Sequence, residues 1–344
     1  MKRSIIQLMF LVVISLAITL NLSVAAEKPI KIKYGHLAPA KPFRSAFHAA
    51  AVGFKHVMEQ RSGGRFQVDI YPSGTLGKEL NMMEAVKKNV IQVHCATPGG
   101  LYRIFPPGIL FFTPYLFKNE EIAVEFLDGP FAQKLLDTFT EKIGIKGLDI
   151  TPKYSYLTIT NNVRPIRSPA DMKGIKFRGM DTLQVTMFKS LGASGVPIAF
   201  PELYTSLQTG VVQGQTNSSM IVSWSKFWEV QKYLTVAKSQ FASTWIVANK
   251  EWYDALSPAD KKIVHDACKA AVRASIGLSV VLETTCLDEI KEKMDVIVLS
   301  DEEILEFKKI AQPACVKWLK TQMDPKYVDG LLEAVQETEK KMGY

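Results

Sequence analysis

One long helical segment constrains the fold of this chain more than any other feature. Ser257 precedes Pro258, the usual order of an N-cap residue and a first-turn proline. The helical pattern behind them continues to about Met294, interrupted by Gly277 alone. A helix of roughly 37 residues would measure about 55 Å, which is too long for one small lobe. We therefore expect two parts of the chain to pack against this one helix.

The first hundred residues alternate between strand and helix patterns. Apolar and polar residues alternate in Ile30 to Gly35 and again in Phe66 to Tyr71, and between them Phe43 to Arg61 has apolar residues at helical spacing. A helix from Glu79 to Lys88 and a strand from Ile91 to Ala96 follow. This order predicts an α/β fold built on a parallel type of sheet with helices on both faces.

The middle of the chain repeats this style. A processed chain of about 318 residues exceeds one hydrophobic core, so two domains are expected. The predicted elements of this region are strands at Gly147 to Thr151, Ser155 to Thr160, Gly174 to Arg178 and Val196 to Ile198, and helices at Thr182 to Leu191 and Pro201 to Thr209.

The N-terminus has the composition of a secretory signal peptide. Lys2 and Arg3 are followed by an uncharged segment, Ser4 to Ala26, that ends in small residues. A membrane anchor is the alternative, but the small residues at the end favour cleavage. We therefore expect residues 1–26 to be a signal peptide and the processed chain to lie in the periplasm.

The residues that carry catalysis or hold metals do not form a familiar motif. His48 and His56 are eight positions apart without a third ligand, and the sequence has no nucleophile elbow, phosphate-binding loop or zinc-protease motif. The net charge of +8 is spread along the chain without a nucleic-acid-binding signature. We expect no enzyme activity, no cofactor, no metal and no nucleic-acid partner. The four cysteines are expected to be buried free thiols: Cys95, Cys268, Cys286 and Cys315.

The most informative segment runs from Lys173 to Asn217. Arg178 ends a short predicted strand, where its guanidinium can point into a cleft and clamp a carboxylate at two points. The alternative is a surface arginine paired with a nearby acid. Asn217 either donates its amide to a ligand or is an ordinary turn residue.

This segment resembles the substrate-binding subunits of tripartite ATP-independent periplasmic (TRAP) transporters, the DctP-like family. The matching pieces within it are DMKGIKFRG and MFKSLGASGVPIAFPELYTSLQTGVVQGQTN. Further pieces, in the family's order, are GHLAPAKPF, QRSGGRFQVDIYPSGTLGKELNMMEAV and LDGPFAQKLLD upstream and ANKEWYDALSPADKKIVHDA downstream.

The resemblance implies a two-lobed periplasmic binding protein of the Venus flytrap type, joined by crossing strands and one long helix. It implies that the lobes close on a small carboxylate, which Arg178 clamps with help from Asn217. Glu79, Thr97 and His36 fall where the first lobe contacts ligand in the family, and an ordinary turn or packing role is the alternative for each of them. The expected partners are the ligand and the integral membrane subunits of a TRAP permease.

One position departs from the family pattern. Many members have a second arginine about twenty residues before the clamp, and the alignment puts Leu157 there. An apolar residue at this place favours a monocarboxylate with an apolar or aromatic body. The aromatic residues available for that wall, each with a place in the hydrophobic core as its alternative, are Tyr154, Tyr156, Trp224, Trp228, Phe241 and Trp245.

These expectations fix a division of the chain into lobes. Lobe I comprises residues 27–153 plus 243–282, and lobe II comprises residues 154–242 plus 283–344. A ligand-sensing protein that presents its solute to a sensor kinase is the alternative function.

Overall fold

The computed structural model describes residues 28–344, except for the side chain of Tyr154. The predicted signal peptide, residues 1–26, lies outside the described residues. The strands of the described part are β1 (Ile30–Gly35), β2 (Phe66–Tyr71), β3 (Val93–Ala96), β4 (Ile145–Tyr156), β5 (Thr158–Asn161), β6 (Lys176–Gly179), β7 (Ser194–Pro197), β8 (Gly214–Asn217), β9 (Tyr233–Val236), β10 (Phe241–Asn249) and β11 (Asp295–Val298).

Helices lie between most of these strands and form the C-terminal end of the described chain. Short 3₁₀ turns occupy Pro106–Phe112, Pro169–Met172, Phe200–Glu202 and Phe227–Glu229. The α-helices are α1 (Ala46–Arg61), α2 (Glu79–Lys87), α3 (Pro98–Ile104), α4 (Glu120–Leu127), α5 (Pro130–Ile143), α6 (Thr182–Ser190), α7 (Leu203–Gln208), α8 (Ser219–Trp224), α9 (Lys250–Asp254), α10 (Pro258–Lys291), α11 (Asp301–Gln322) and α12 (Pro325–Lys341).

The described strands form two separate sheets. The first has the order β2-β1-β3-β10-β4, and the second has the order β11-β9-β5-β8-β6-β7. Both are mixed: β10 is antiparallel to β3 and β4, and β5 is antiparallel to β8 and β9. The prediction of a parallel sheet was therefore correct only for part of each sheet. The antiparallel pairs arise because the chain passes directly from strand to strand between the sheets.

Two such passages join the sheets. β4 of the first sheet continues through Leu157 into β5 of the second, and β9 of the second returns through residues 237–240 into β10 of the first. The prediction of two strands, broken near residue 152, is corrected here: β4 runs without interruption to Tyr156. Its length is needed to carry the chain from one sheet to the other.

The long helix predicted from the sequence is confirmed as α10, with 34 residues and a length of about 51 Å. The Ser257 side chain accepts a hydrogen bond from the Asp260 N–H at 3.1 Å, so the predicted N-cap is also correct. α10 packs against α1 and β4 beside the first sheet, and against α8 and β11 beside the second. By length and composition it is the one helix of residues 28–344 that could cross a membrane. Its contacts with both sheets make it a shared structural helix.

The last two helices return the chain toward the first sheet. α11 packs on α6 beside the second sheet, whereas α12 packs on α4 and forms the ion pair Lys341–Glu125 at 2.7 Å. The lobe boundaries given above remain a proposal, and this packing favours placing α12 with lobe I. The four cysteines are buried and free, as predicted.

Candidate ligand-binding site between the two sheets

A cavity of about 300 Å³ lies between the two sheets. Its first side is formed by residues at the ends of β3, β4 and β10 and by α2, and its second side by residues of β6, β8 and α8. Most of the wall is apolar, with a few charged side chains set into it. A largely apolar pocket of this size with a few polar groups is the usual form of a small-molecule site.

Arg178 is the most deeply buried positive charge on the second side. It lies in β6, has 1% of its surface exposed and lines the cavity. Its Nε donates a hydrogen bond to the Ile198 carbonyl at 2.9 Å. No carboxylate of residues 28–344 forms an ion pair with it within 4.0 Å. Within residues 28–344 the guanidinium makes its side-chain hydrogen bond through Nε, which leaves the two terminal nitrogens to face the cavity.

Burial lowers the pKa of Arg178 to about 10, and the nearby Asp181 opposes this shift. Asp181 is the N-cap of α6, and its Oδ1 accepts a hydrogen bond from the Gln184 N–H at 2.8 Å. Burial raises the pKa of Asp181 to about 6, against the lowering effects of that hydrogen bond and of Arg178. Arg178 thus remains a cation at neutral pH. It is not the surface arginine of the alternative interpretation.

Asn217 ends β8 and also lines the cavity. Its Nδ2 donates to Gln215 Oε1 at 2.5 Å, and its carbonyl oxygen accepts from the Thr158 hydroxyl at 2.8 Å. The β8 strand pairs with β5 immediately after the passage between the sheets. Asn217 is therefore held in a strand rather than in a turn.

Glu79 and Thr97 face the cavity from the first side. Glu79 Oε1 accepts a hydrogen bond from the Thr97 N–H at 2.9 Å and lies 3.1 Å from His94 Nε2. Its second oxygen, Oε2, is buried and has no partner. Gly100 makes this approach possible, because a Cβ at that position would lie 2.2 Å from Glu79 Cγ.

Several residues considered as ligand contacts lie outside the cavity wall. His36 is buried and does not belong to the cavity wall. Its Nε2 lies 3.0 Å from His48 Nδ1, and burial lowers the pKa of His36 to about 3. Tyr156 and Phe241 pack on each other with ring centroids 5.4 Å apart, away from the cavity. The Tyr154 side chain lies outside the described residues. Of the three tryptophans considered, Trp224 lines the cavity, whereas Trp228 and Trp245 pack into cores elsewhere.

Lys153 is a cavity residue that sequence reasoning missed. It lies in β4, is 1% exposed, and its Nζ donates a hydrogen bond to Ser275 Oγ of α10 at 3.2 Å. The ammonium also lies 4.4 Å from the centre of the Phe47 ring. Burial lowers its pKa to about 8. The available signal was an isolated lysine within a strand pattern, close to the passage between the sheets.

These features define a class of protein. Two α/β lobes, joined by two strand passages and one shared helix, enclose a cavity with a buried arginine, which is the architecture of a two-lobed solute-binding protein. The family described as bacterial extracellular solute-binding protein, family 7 (DctP), matches residues 37–322. The chain belongs to this family, the substrate-binding proteins of TRAP transporters, as the resemblance predicted.

Individual relatives and solved structures agree with this family. The ectoine/5-hydroxyectoine-binding periplasmic protein UehA of Ruegeria pomeroyi is 29% identical over 88% of this chain and 92% of its own length. The ectoine-binding periplasmic protein TeaA of Halomonas elongata is 30% identical over 86% of both chains. The sugar acid binding protein DctPAm of Advenella mimigardefordensis, solved with galactonate, is 30% identical with a TM-score of 0.84, over 90% of this chain and 99% of that one.

Proposed function

We propose that this protein captures a small organic acid by its carboxylate and delivers it to the membrane subunits of a TRAP permease. The observation that carries the proposal is Arg178: a buried guanidinium, fixed through Nε to Ile198, lines a cavity of about 300 Å³ with its two terminal nitrogens facing the cavity. A planar guanidinium with two free N–H groups matches a carboxylate. Asn217 supplies a further amide on the same side of the cavity.

The relatives support a carboxylate as the common element. DctPAm was solved with galactonate, a sugar acid, and an Escherichia coli relative is a 2,3-diketo-L-gulonate-binding periplasmic protein. Both ligands are carboxylates with several oxygen groups. By the same likeness we assign this chain to the periplasm, with residues 1–26 removed as a signal peptide, and to transport rather than catalysis.

Contacts across the cavity support binding by closure of the lobes. Lys78, at the start of α2, forms an ion pair with Glu202 on the other side at 2.5 Å. Gly99 lies against Met180, where a Cβ would be only 3.1 Å from Met180 Cγ. These contacts belong to a closed arrangement, which a ligand touching both sides would stabilise over an open one.

The experiment that tests the proposal is a thermal-shift screen of residues 27–344 against small acids. The panel spans dicarboxylates, 2-oxo acids, sugar acids, aromatic acids, amino acids and sulfonates. A ligand at a hundredfold excess over its Kd stabilises the native state by about 2.7 kcal/mol. We expect at least one carboxylate to raise Tm by several degrees, and this rise to disappear in Arg178→Ala. A panel without any carboxylate hit, or a hit unchanged in the variant, contradicts the proposal.

A further inference from the structure

Lys153 is a buried cation without a counter-ion in the described chain. Its Nζ makes one hydrogen bond, to Ser275, although an ammonium group has three donors. Among residues 28–344, no carboxylate lies within 4.0 Å of it. Removing a charge from water without pairing it costs several kcal/mol, so an unpaired buried ammonium is unusual in a purely structural role.

The groups around Lys153 do not neutralise its charge. Cys95 is a thiol whose pKa is raised by burial, and His36 is neutral because burial lowers its pKa to about 3. The Phe47 ring, 4.4 Å away, offers a cation–π contact but no negative charge. The Lys153 ammonium therefore has N–H donors that are available to a ligand in the cavity.

Lys153 and Arg178 approach the same cavity from opposite sides. Lys153 belongs to β4 of the first sheet and Arg178 to β6 of the second, and both line the space between the sheets. A ligand bound to Arg178 through one carboxylate therefore presents its remaining atoms toward the side that holds Lys153. Leu157, where the resemblance implies a second arginine, lines the cavity without a polar group.

We propose that Lys153 replaces the missing second arginine and binds a second oxygen group of the ligand, so that the ligand is a small acid oxygenated at both ends. This inference rests on the proposed function and identifies the ligand class more narrowly. The second group is a carboxylate, keto or hydroxyl oxygen that accepts from the ammonium. The ligand class differs from the apolar-bodied monocarboxylate that Leu157 alone had suggested.

The test compares matched acids that differ in one terminal group. Succinate, 4-hydroxybutyrate and butyrate form one series, and glutarate, 5-hydroxypentanoate and pentanoate another, with galactonate as an additional polyoxygenated acid. Calorimetric titrations use the wild type, Lys153→Met and the control Lys146→Met. Lys146 lies in the same strand as Lys153, places its ammonium over the Tyr253 ring, and is not a residue of the cavity wall.

Hydrogen bonds to charged groups contribute about 1.5–3 kcal/mol, which corresponds to roughly 10- to 150-fold in affinity. We expect the wild type and Lys146→Met to prefer the acids oxygenated at both ends by at least about tenfold. Lys153→Met should reduce this preference to less than about threefold and leave the affinity for the apolar-tailed acid nearly unchanged. A preference that survives in Lys153→Met, or a wild type that prefers butyrate or pentanoate, overturns the inference.

Two controls separate this inference from the proposed function and from misfolding. Arg178→Met should show no measurable binding of any acid of either series. Binding by this variant would count against the carboxylate clamp itself. If only the Lys153 comparison fails, the clamp stands and the inference falls. Thermal melts check the fold, and Lys153→Gln, which keeps a donor for Ser275, repeats the comparison if Lys153→Met is unstable.

Discussion

The backbone N–H of Leu157 donates a hydrogen bond to the Gln240 carbonyl at 2.8 Å, so the two strand passages between the sheets are joined to each other. The Ser239 N–H returns a bond to the Leu157 carbonyl at 3.2 Å. Both passages therefore cross at one place, beside the cavity that Leu157 lines. We propose that the lobes rotate about this narrow connection while each sheet keeps its own ladder, as about a hinge.

The hinge predicts a measurable change of shape on binding. Residues 27–344 without ligand should populate an open form with a larger radius of gyration than the form saturated with a bound acid. Small-angle X-ray scattering measures the difference, and Arg178→Met at the same acid concentration should show no change. Identical scattering of the wild type with and without a tightly bound acid would contradict closure about the Leu157–Gln240 connection.

The ion pair between Lys78 and Glu202 should contribute little to closure. Its side chains are 62% and 53% exposed, and exposed pairs contribute about 0.2–1 kcal/mol. Glu202→Gln should therefore weaken ligand binding by no more than about fivefold, and the effect should shrink further at high salt. Titration calorimetry at two ionic strengths measures both quantities. A loss of a hundredfold would mean that this contact, rather than the buried site, holds the lobes together.

The pH dependence of binding should report on Lys153. Its pKa is lowered by burial to about 8, and only the protonated form pairs with an anionic oxygen. Cys95 and His36, the titratable groups that act on it, are neutral at pH 7. Affinity for an acid oxygenated at both ends should be nearly constant from about pH 7, where Asp181 with its pKa of about 6 is already ionised, to about 7.5 and fall above about 8, approaching tenfold per pH unit.

The stability of the unliganded protein should change in the opposite direction. Above pH 8 the folded protein has released the Lys153 proton, while the unfolded chain retains it up to about 10.5, so this residue increases the free energy of unfolding as pH rises. Comparison with Lys153→Met isolates the effect from other groups. The affinity of Lys153→Met for the same acid should be flat from about pH 7 to about pH 9, above which Arg178, with its pKa of about 10, begins to lose its proton. Equal profiles for both proteins would exclude Lys153 from the binding site.

Replacing each of two helical glycines with alanine should change the free energy of unfolding in opposite directions. Gly277 is exposed in α10, and a Cβ there meets nothing within 4 Å, so Gly277→Ala should raise the free energy of unfolding by about 0.5–1 kcal/mol. Gly53 in α1 faces α10 closely, with a built Cβ 3.1 Å from the Ala270 carbonyl oxygen, so Gly53→Ala should lower stability. Urea denaturation of both variants gives the comparison. Stabilisation by Gly53→Ala would show that the packing of α1 on α10 is looser than the structure indicates.

Local patterns in the sequence were sufficient for most elements of the fold. The long helix, its Ser257 cap and the first β-α-β unit follow from periodicity and cap chemistry, which act within a few residues. Strand direction did not follow, because β10 pairs with β3 and β4 across long stretches of chain. The passage between the sheets through Leu157 could not be predicted either, since a strand pattern does not indicate which sheet a strand joins.

The residues of the cavity wall were predictable only where a side chain lies near the end of a strand that reaches the cavity. Arg178 and Asn217 lie at strand ends and reach the cavity wall, as expected. Tyr156 and Phe241 are register partners on β4 and β10, and both turn toward Phe117 instead. Sequence reasoning missed Lys153 because its burial against Phe47 and Ser275 depends on how α1 and α10 pack, which a local pattern does not show.

The central claim, carboxylate capture by Arg178, is tested most directly by the affinity of the strongest acid from the screen for the wild type and for Arg178→Met. Arg103→Met serves as the control, because Arg103 also lines the cavity but is exposed. Removing one partner of a buried charge pair costs about 3–5 kcal/mol, so we predict a loss of at least about a hundredfold in Arg178→Met. The control should stay within about fivefold of the wild type, as expected for an exposed charge. Near-wild-type affinity in a folded Arg178→Met protein would contradict the account.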